Sequence, residues 1–250
     1  MTAAQWLRRA AVVLGLALAP WCWVVANTAY LLAIRQGGSD ADGAAALALY
    51  GQHPTLVRVS VVAVMLGGLL VVPAVAGFYR LAGERLAVVL GGGLMAAGYI
   101  AYGGLGPLTG LQLVMAEHGG PMTDFAAVID AGQADWTTAW AFLLFVAGNL
   151  LGTTVLAIGL WQARTVPIWV PACLLAWPVL HVIGLVFFGN EVPQVIGAVI
   201  QAVGFGACAW LVAGRPEGAV AVPPAGATSS RAEEAEEPEG AEGADTVQVA

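Results

Sequence analysis

The stretch WTTAWAFLLFVAGNLLGTTVLAIGLW, residues 136–161, contains no Asp, Glu, Lys or Arg. Wound as a helix with a rise of about 1.5 Å per residue, such a run is long enough to cross the roughly 30 Å of hydrocarbon in a bilayer. The chain repeats the pattern on both sides. Toward the N-terminus apolar runs cover Leu86 to about Leu105, Leu56 to Tyr79 and Ala10 to Ile34, and toward the C-terminus Pro167 to Phe188 and Val192 to Ala213. Six spans predict an all-α fold, a polytopic transmembrane helical bundle. Leu108 to Met115 is too short to span and is expected to extend the third helix or to lie at the interface.

Composition agrees with that reading. Of 250 residues 59% are hydrophobic and 10% charged, whereas an ordinary soluble domain carries roughly 25% charged residues. The net charge of −7 is unevenly placed: the last 37 residues hold eight of the sixteen acids and two of the nine arginines, a balance of −6. Two regions follow, a six-helix transmembrane domain over 1–213 and an acidic tail over 214–250. The tail has no aromatic residue and is rich in Glu, Pro, Gly and Ala, so it cannot bury enough apolar surface to offset chain entropy and is expected to be disordered. It reads first as a solvated acidic end that repels the anionic inner leaflet, and alternatively as a docking segment for a protein partner. No nucleic-acid partner is expected, and the lipid bilayer is the environment that the runs demand.

Arginine placement sets the expected orientation, because short cytoplasmic loops are enriched in basic residues. Arg8 and Arg9 precede the first run, Arg80 and Arg85 separate the second and third, Arg164 separates the fourth and fifth, and Arg215 follows the sixth. All fall on one side, so both termini are expected in the cytoplasm of a protein of the cell inner (plasma) membrane. The first run is too long for the apolar part of a signal peptide and lacks an A-x-A site, which makes it a permanent helix. On the other side, Ala44 to Tyr50 reads as a short surface helix stopped by Gly51 and Pro54, and Thr123 to Ala134 as a helix lying on the membrane with Phe125, Val128 and Ile129 on one face.

A polar side chain in hydrocarbon is costly, so it needs a packing partner or a task. The candidates are Asn27, Asn149, His181 and Gln201. His181 lies nine residues before Asn190 and Gln201 eleven after it, which predicts a common depth near the bilayer centre and a hydrogen bond across the hairpin. Gly197, Gly204 and Cys208 share the Gln201 face and are small enough for another helix to approach. Asn149 sits in GNLLG, residues 148–152, a small-xxx-small motif. Two roles are open for the four side chains: fastening helices together, or lining a path for a solute. Tyr99, Tyr102, Pro73 and Pro178 add hydroxyls and kinks that either role can use.

Signatures of chemistry are missing. The chain has no GxSxG, P-loop, HExxH or intramembrane pair of Asp residues, and no carboxylate or Arg lies mid-run to relay protons. Cys22, Cys173 and Cys208 each lie in an apolar run without a CxxC or Cys/His spacing. Glu117, His118, Asp124, Asp130 and Asp135 match no ordered metal motif and read as a solvated face. The chain is therefore expected not to be an enzyme and to carry no cofactor or metal.

The stretches LALYGQHPTLVRVSVV (47–62), LVVPAVAGFYRL (70–81) and GNLLGTTVLAIGLWQARTVPIWVPACLL (148–175) resemble those of uncharacterised six-span integral membrane proteins of GC-rich bacteria, where a helix ending in an Arg turn is followed by VP and a Trp. The resemblance implies the six-span fold and carries no activity. Two functions stand at this point: a non-enzymatic membrane scaffold or sensor acting through partners, or a transporter or channel-like protein for a small neutral solute.

Overall fold

Thr2 starts the first helix by a reciprocal cap: its hydroxyl accepts from the Gln5 N–H at 3.3 Å, and the Gln5 side-chain oxygen accepts from the Thr2 N–H at 2.7 Å. Two donors that a helix start leaves free are thereby satisfied. From this cap runs α1, Ala3–Ile34, in a computed structural model that describes residues 2–35 and 37–215. It is followed by α2 (Gly43–Gln52), α3 (Pro54–Ala82), α4 (Leu86–His118), α5 (Met122–Ala134), α6 (Trp136–Ala147), α7 (Thr153–Ala163), α8 (Trp169–Ile183) and α9 (Val192–Gly214). A π turn, Gly148–Gly152, joins α6 to α7 in one span, and a second, Gly184–Phe188, prolongs α8. Among the described residues every regular element is helical. Six helices are long and apolar enough to cross a membrane, which is the build of a multi-pass integral membrane protein. The acidic tail lies outside the described residues from position 216 onward.

The third span continues past Leu105 to His118, so Leu108 to Met115 extends the helix, the first of the two placements expected for it. Pro107 does not stop it, because Gln112 and Leu113 beyond it are buried and Leu113 packs with Ala33, Ala46, Leu49, Tyr50 and Val57. Tertiary burial outweighs the lost backbone bond. The surface helix expected over Ala44–Tyr50 is α2, capped by the Asp42 carboxylate, which accepts from the Ala45 N–H at 2.8 Å. The amphipathic segment is α5, but its buried residues are Ala126 and Ile129, packed on Leu47 of α2, while Val128 is exposed. Helix α5 thus lies on α2, with the Asp130 carboxylate accepting from the Gly43 N–H at 2.6 Å.

The bundle differs along its length. At the end that carries Arg8, Arg80, Arg164 and Arg215, the helices form a closed ring in the order α3, α1, α9, α8, α7, α4. Its centre is apolar, with Phe78, Leu81, Leu156, Leu160, Phe205 and Cys208 fully buried. The α4–α7 seam is set by glycine, for a Cβ on Gly91 would lie 2.3 Å from the Leu156 backbone nitrogen and one on Gly152 2.5 Å from that of Met95. Backbones meet here with nothing between them. The end is also stitched by arginine. Arg215 donates to the Leu81 and Thr165 carbonyls at 3.2 and 3.1 Å, and Arg9 donates to the Ala213 carbonyl, supplying positive charge at the C-terminal ends of α3 and α9.

At the opposite end the ring is open. Helix α6 packs on α4 and α5 and makes at most grazing contact with α8 and α9. The π turn after α8 touches only α8 and α9 to any extent, and Val186, Phe187 and Phe188 on it are 70%, 73% and 64% exposed. The spans at this level form a horseshoe, α6–α4–α3–α1–α9–α8, whose gap lies between α6 and α8.

Candidate functional site

The candidate site is the interior of that horseshoe, and each wall carries a different chemistry. On the α4–α6 side stands an aromatic group: Tyr102 stacks on Phe145 at 4.1 Å, and Trp23 of α1 lies 4.5 Å from Tyr99 and 5.3 Å from Tyr102, centroid to centroid. On the α1–α9–α8 side runs a polar chain. The Gln194 amide nitrogen donates to the Asn27 side-chain oxygen at 2.9 Å, and the His181 Nδ1 lies 2.6 Å from Gln194 Oε1. An amide oxygen only accepts, so the His181 Nδ1 carries a proton and donates. Trp177 stacks on the imidazole at 4.9 Å and holds its plane.

The four side chains singled out in the sequence do not converge. Asn27 and His181 share the polar chain through Gln194, a residue that the sequence reading did not single out. Gln201 is elsewhere: its Oε1 accepts from the Tyr99 hydroxyl at 3.4 Å and its amide nitrogen donates to the Leu174 carbonyl at 3.4 Å. Asn149 turns back on its own helix and donates to the Phe145 carbonyl at 3.0 Å. The expected His181–Gln201 bond is therefore corrected to His181–Gln194 and Gln201–Tyr99.

The reason is the π turn. The chain bulges outward over Gly184–Phe188, and the hairpin closes at Gly184, whose carbonyl accepts from the Asn190 N–H at 3.3 Å. From that crossing the two helices keep one register, with His181 opposite Gln194, Trp177 opposite Gly197 and Leu174 opposite Gln201. Gln201 lies two turns deeper than His181. Counting outward from Asn190 treated the bulge as helix and misplaced the pair. Gln194 could have been found by carrying the small-residue face of α9, Gln201 with Gly197 and Gly204, back by two turns.

Carboxylates stand at the mouth. The Tyr30 hydroxyl donates to Asp40 Oδ1 at 2.9 Å, and Glu191 is half-buried at the start of α9. Burial, and then the charge of Asp40, raise the Glu191 carboxyl above its ordinary range. Burial, again followed by Asp40, raises the Tyr50 phenol. The ion pair among the described residues is Arg58–Glu117, and neither Asp40 nor Glu191 takes part in one. Deeper in, the Asn27 side-chain nitrogen is buried without a hydrogen-bond partner among the described residues. Tyr30 and Asn27 are one turn apart on the same face of α1.

Three other acids at this end are engaged in structure. Glu117 holds Arg58, Asp130 holds the start of α2, and Asp135 caps α6 by accepting from the Thr137 hydroxyl and, at 2.9 Å, from the Thr137 N–H, bonds that lower its carboxyl. Among the described residues no group of three or more His, Cys, Asp and Glu side chains is placed to hold a metal, and Cys22, Cys173 and Cys208 are free thiols. No protein-family model matches the chain, and no curated protein or solved structure matches it.

Proposed function

We propose that the protein is a non-enzymatic membrane sensor, with the open half of the bundle as its receiving side and the arginine-bearing half, together with both termini, facing the cytoplasm, where partners are engaged. The observation that carries this reading is the plug. Below Gln201 the buried face of α9 is Phe205, Cys208, Ala209 and Val212, which at about 1.5 Å per residue is some 16 Å of apolar packing without a polar station. Polar groups buried in that half, such as the Thr153 hydroxyl, are single and enclosed, and the glycine seam between α4 and α7 leaves no width for a hydrated solute. The polar side chains of the open half, in contrast, are bound in pairs that fasten α1, α4, α8 and α9 together, an arrangement suited to passing a change at the mouth into the relative positions of helices. The acidic tail following Arg215 is the segment proposed to meet a protein partner.

The test is flux. The full chain reconstituted in vesicles should pass glycerol and urea no faster than protein-free vesicles of the same composition in a stopped-flow swelling measurement. Swelling accelerated in proportion to protein content would sink the sensor reading in favour of a small-solute pathway. Reporter fusions after Arg85, Arg164 and Arg215 should report cytoplasm, and one within 123–135 the opposite side.

A further inference from the structure

We propose that the gap between α6 and α8 is a binding site for a zwitterionic aminophospholipid of the adjoining leaflet, its ammonium group at Asp40 and Glu191, its phosphate oxygens at the Asn27 and Gln194 amide N–H groups and an acyl chain along Tyr102 and Phe145. The order of chemistry down the crevice carries the assignment. At the mouth are two carboxylates without an ion-pair partner among the described residues, one of them half-buried. Asn27 lies one turn below Tyr30, the residue that holds Asp40, so its amide is about 4.5 Å deeper, and its side-chain nitrogen is a buried donor without a partner among the described residues. Trp23, a further four residues along α1, is about 6 Å deeper again, among the aromatic rings. Ammonium, phosphate and then the esters with their hydrocarbon follow one another in that order in an aminophospholipid.

Access is lateral. The horseshoe is open only between α6 and α8, and both rims show the bilayer large apolar side chains, Phe142 and Leu143 on one and Phe187 and Phe188 on the other. An ammonium beside Asp40 and Glu191 would relieve the repulsion that raises the Glu191 carboxyl, whereas an anionic headgroup would add to it. The amide N–H groups at the next level donate to the phosphate oxygens.

The inference rests on the sensor reading only in taking the lipid as the molecule sensed; the site itself is tested separately. The full chain is placed in vesicles containing equal amounts of phosphatidylethanolamine and phosphatidylglycerol, doped with either lipid carrying a photoreactive group on the acyl chain, and labelled peptides are mapped by mass spectrometry. The expected result is labelling of the 142–146 and 181–188 stretches by the ethanolamine probe, several-fold above its labelling of the lipid-facing residues Val62, Leu66 and Leu69 of α3, with the glycerol probe showing no such excess. In the Asp40→Asn, Glu191→Gln double variant, the site should stay labelled while the preference between headgroups disappears. Even labelling around the protein, equal labelling of the gap by both probes in the wild type, or protein–protein crosslinks at the gap would each overturn the proposal. The wild-type arm decides without any variant having to fold. Rapid solute flux would sink the sensor reading and leave a positive labelling result standing, and even labelling would sink the lipid site and leave the flux result standing.

Discussion

The two ends of the bundle are built from the same kinds of residue and solve opposite problems. At the arginine end, small residues let α4 and α7 touch backbone to backbone, apolar side chains fill the middle, and Arg215 and Arg9 occupy the carbonyls where α3 and α9 stop. At the other end, helices that are equally apolar stand apart, and the interior is held by side-chain pairs such as Asn27–Gln194–His181. In lipid no hydrophobic force separates these cases, because a side chain leaving its neighbour helix finds hydrocarbon in either place. Closure is decided by how near two backbones can come, and openness by polar contacts that reach across a wider space.

The largest test of that contrast is Gly152→Ala, which would put a methyl group 2.5 Å from the Met95 backbone nitrogen. Overpacking of this kind costs about 1 to 3 kcal/mol, and the unfolding temperature in detergent should fall accordingly. Gly93→Ala, on the same helix as Met95 but with nothing within 4 Å of the new methyl, should instead gain roughly 0.5 to 1 kcal/mol by the ordinary helix preference for Ala. Equal effects of the two would mean that the seam is not close-packed.

Next in size is Arg215→Met, which keeps an apolar stem and strips the Leu81 and Thr165 carbonyls of their donor. A charged hydrogen bond contributes about 1.5 kcal/mol at the low end of its range, the value expected for a half-exposed guanidinium. Denaturant titration of the wild type and the variant should show that difference. A variant as stable as the wild type would show that water serves these helix ends equally well.

In the open half the effects are smaller. His181→Leu and Gln194→Leu should be coupled by about 0.6 kcal/mol, with roughly 1.7 as an upper value for membrane hydrogen bonds. His181→Leu and Gln201→Leu should be additive. The reverse pattern of coupling would return the hairpin to a register without the bulge.

The smallest expected effect is a pH dependence. Because the Glu191 carboxyl is raised in the fold, the folded state binds more protons than the unfolded state between the ordinary carboxylate value and the raised one. Stability should fall as pH rises through that window and level off above it. Glu191→Gln should flatten the profile and be the more stable form at neutral pH, the two proteins converging on acidification. A wild type that loses stability on acidification through the same window would place Glu191 beside a positive charge.

The spans were legible in the sequence because each is a property of one uninterrupted stretch: hydropathy over 136–161 needs no knowledge of neighbours. So was the short helix over Ala44–Tyr50, which follows from good helix formers stopped by Gly51 and Pro54, although its cap is Asp42. What could not be read were features decided by a partner. The choice between extending α4 past Pro107 and lying at the interface, both open in the sequence, is decided by burial against α2 and α3, and the register of α8 on α9 depends on a π turn that apolar residues do not announce. Asn27, His181 and Gln201 were recognisable as polar groups in hydrocarbon, but their partners were not. Tyr99 read as a cavity hydroxyl or an interface anchor, and Gln194 stands too near the start of its run to look intramembrane.

Both rims of the opening hang from the body of the protein by a π turn, α6 through Gly148–Gly152 and the end of α8 as Gly184–Phe188. Such a turn holds one residue of slack relative to an α-helix, with a weaker ladder across it. Taking up that slack would rotate everything beyond the turn by about 100° and slide it by about 1.5 Å. The two rims thus have a stepwise adjustment rather than a gradual one. A side chain such as Phe142 would pass from facing hydrocarbon to facing the interior in a single click of α6, while the Gly91–Leu156 contact below the turn keeps its place.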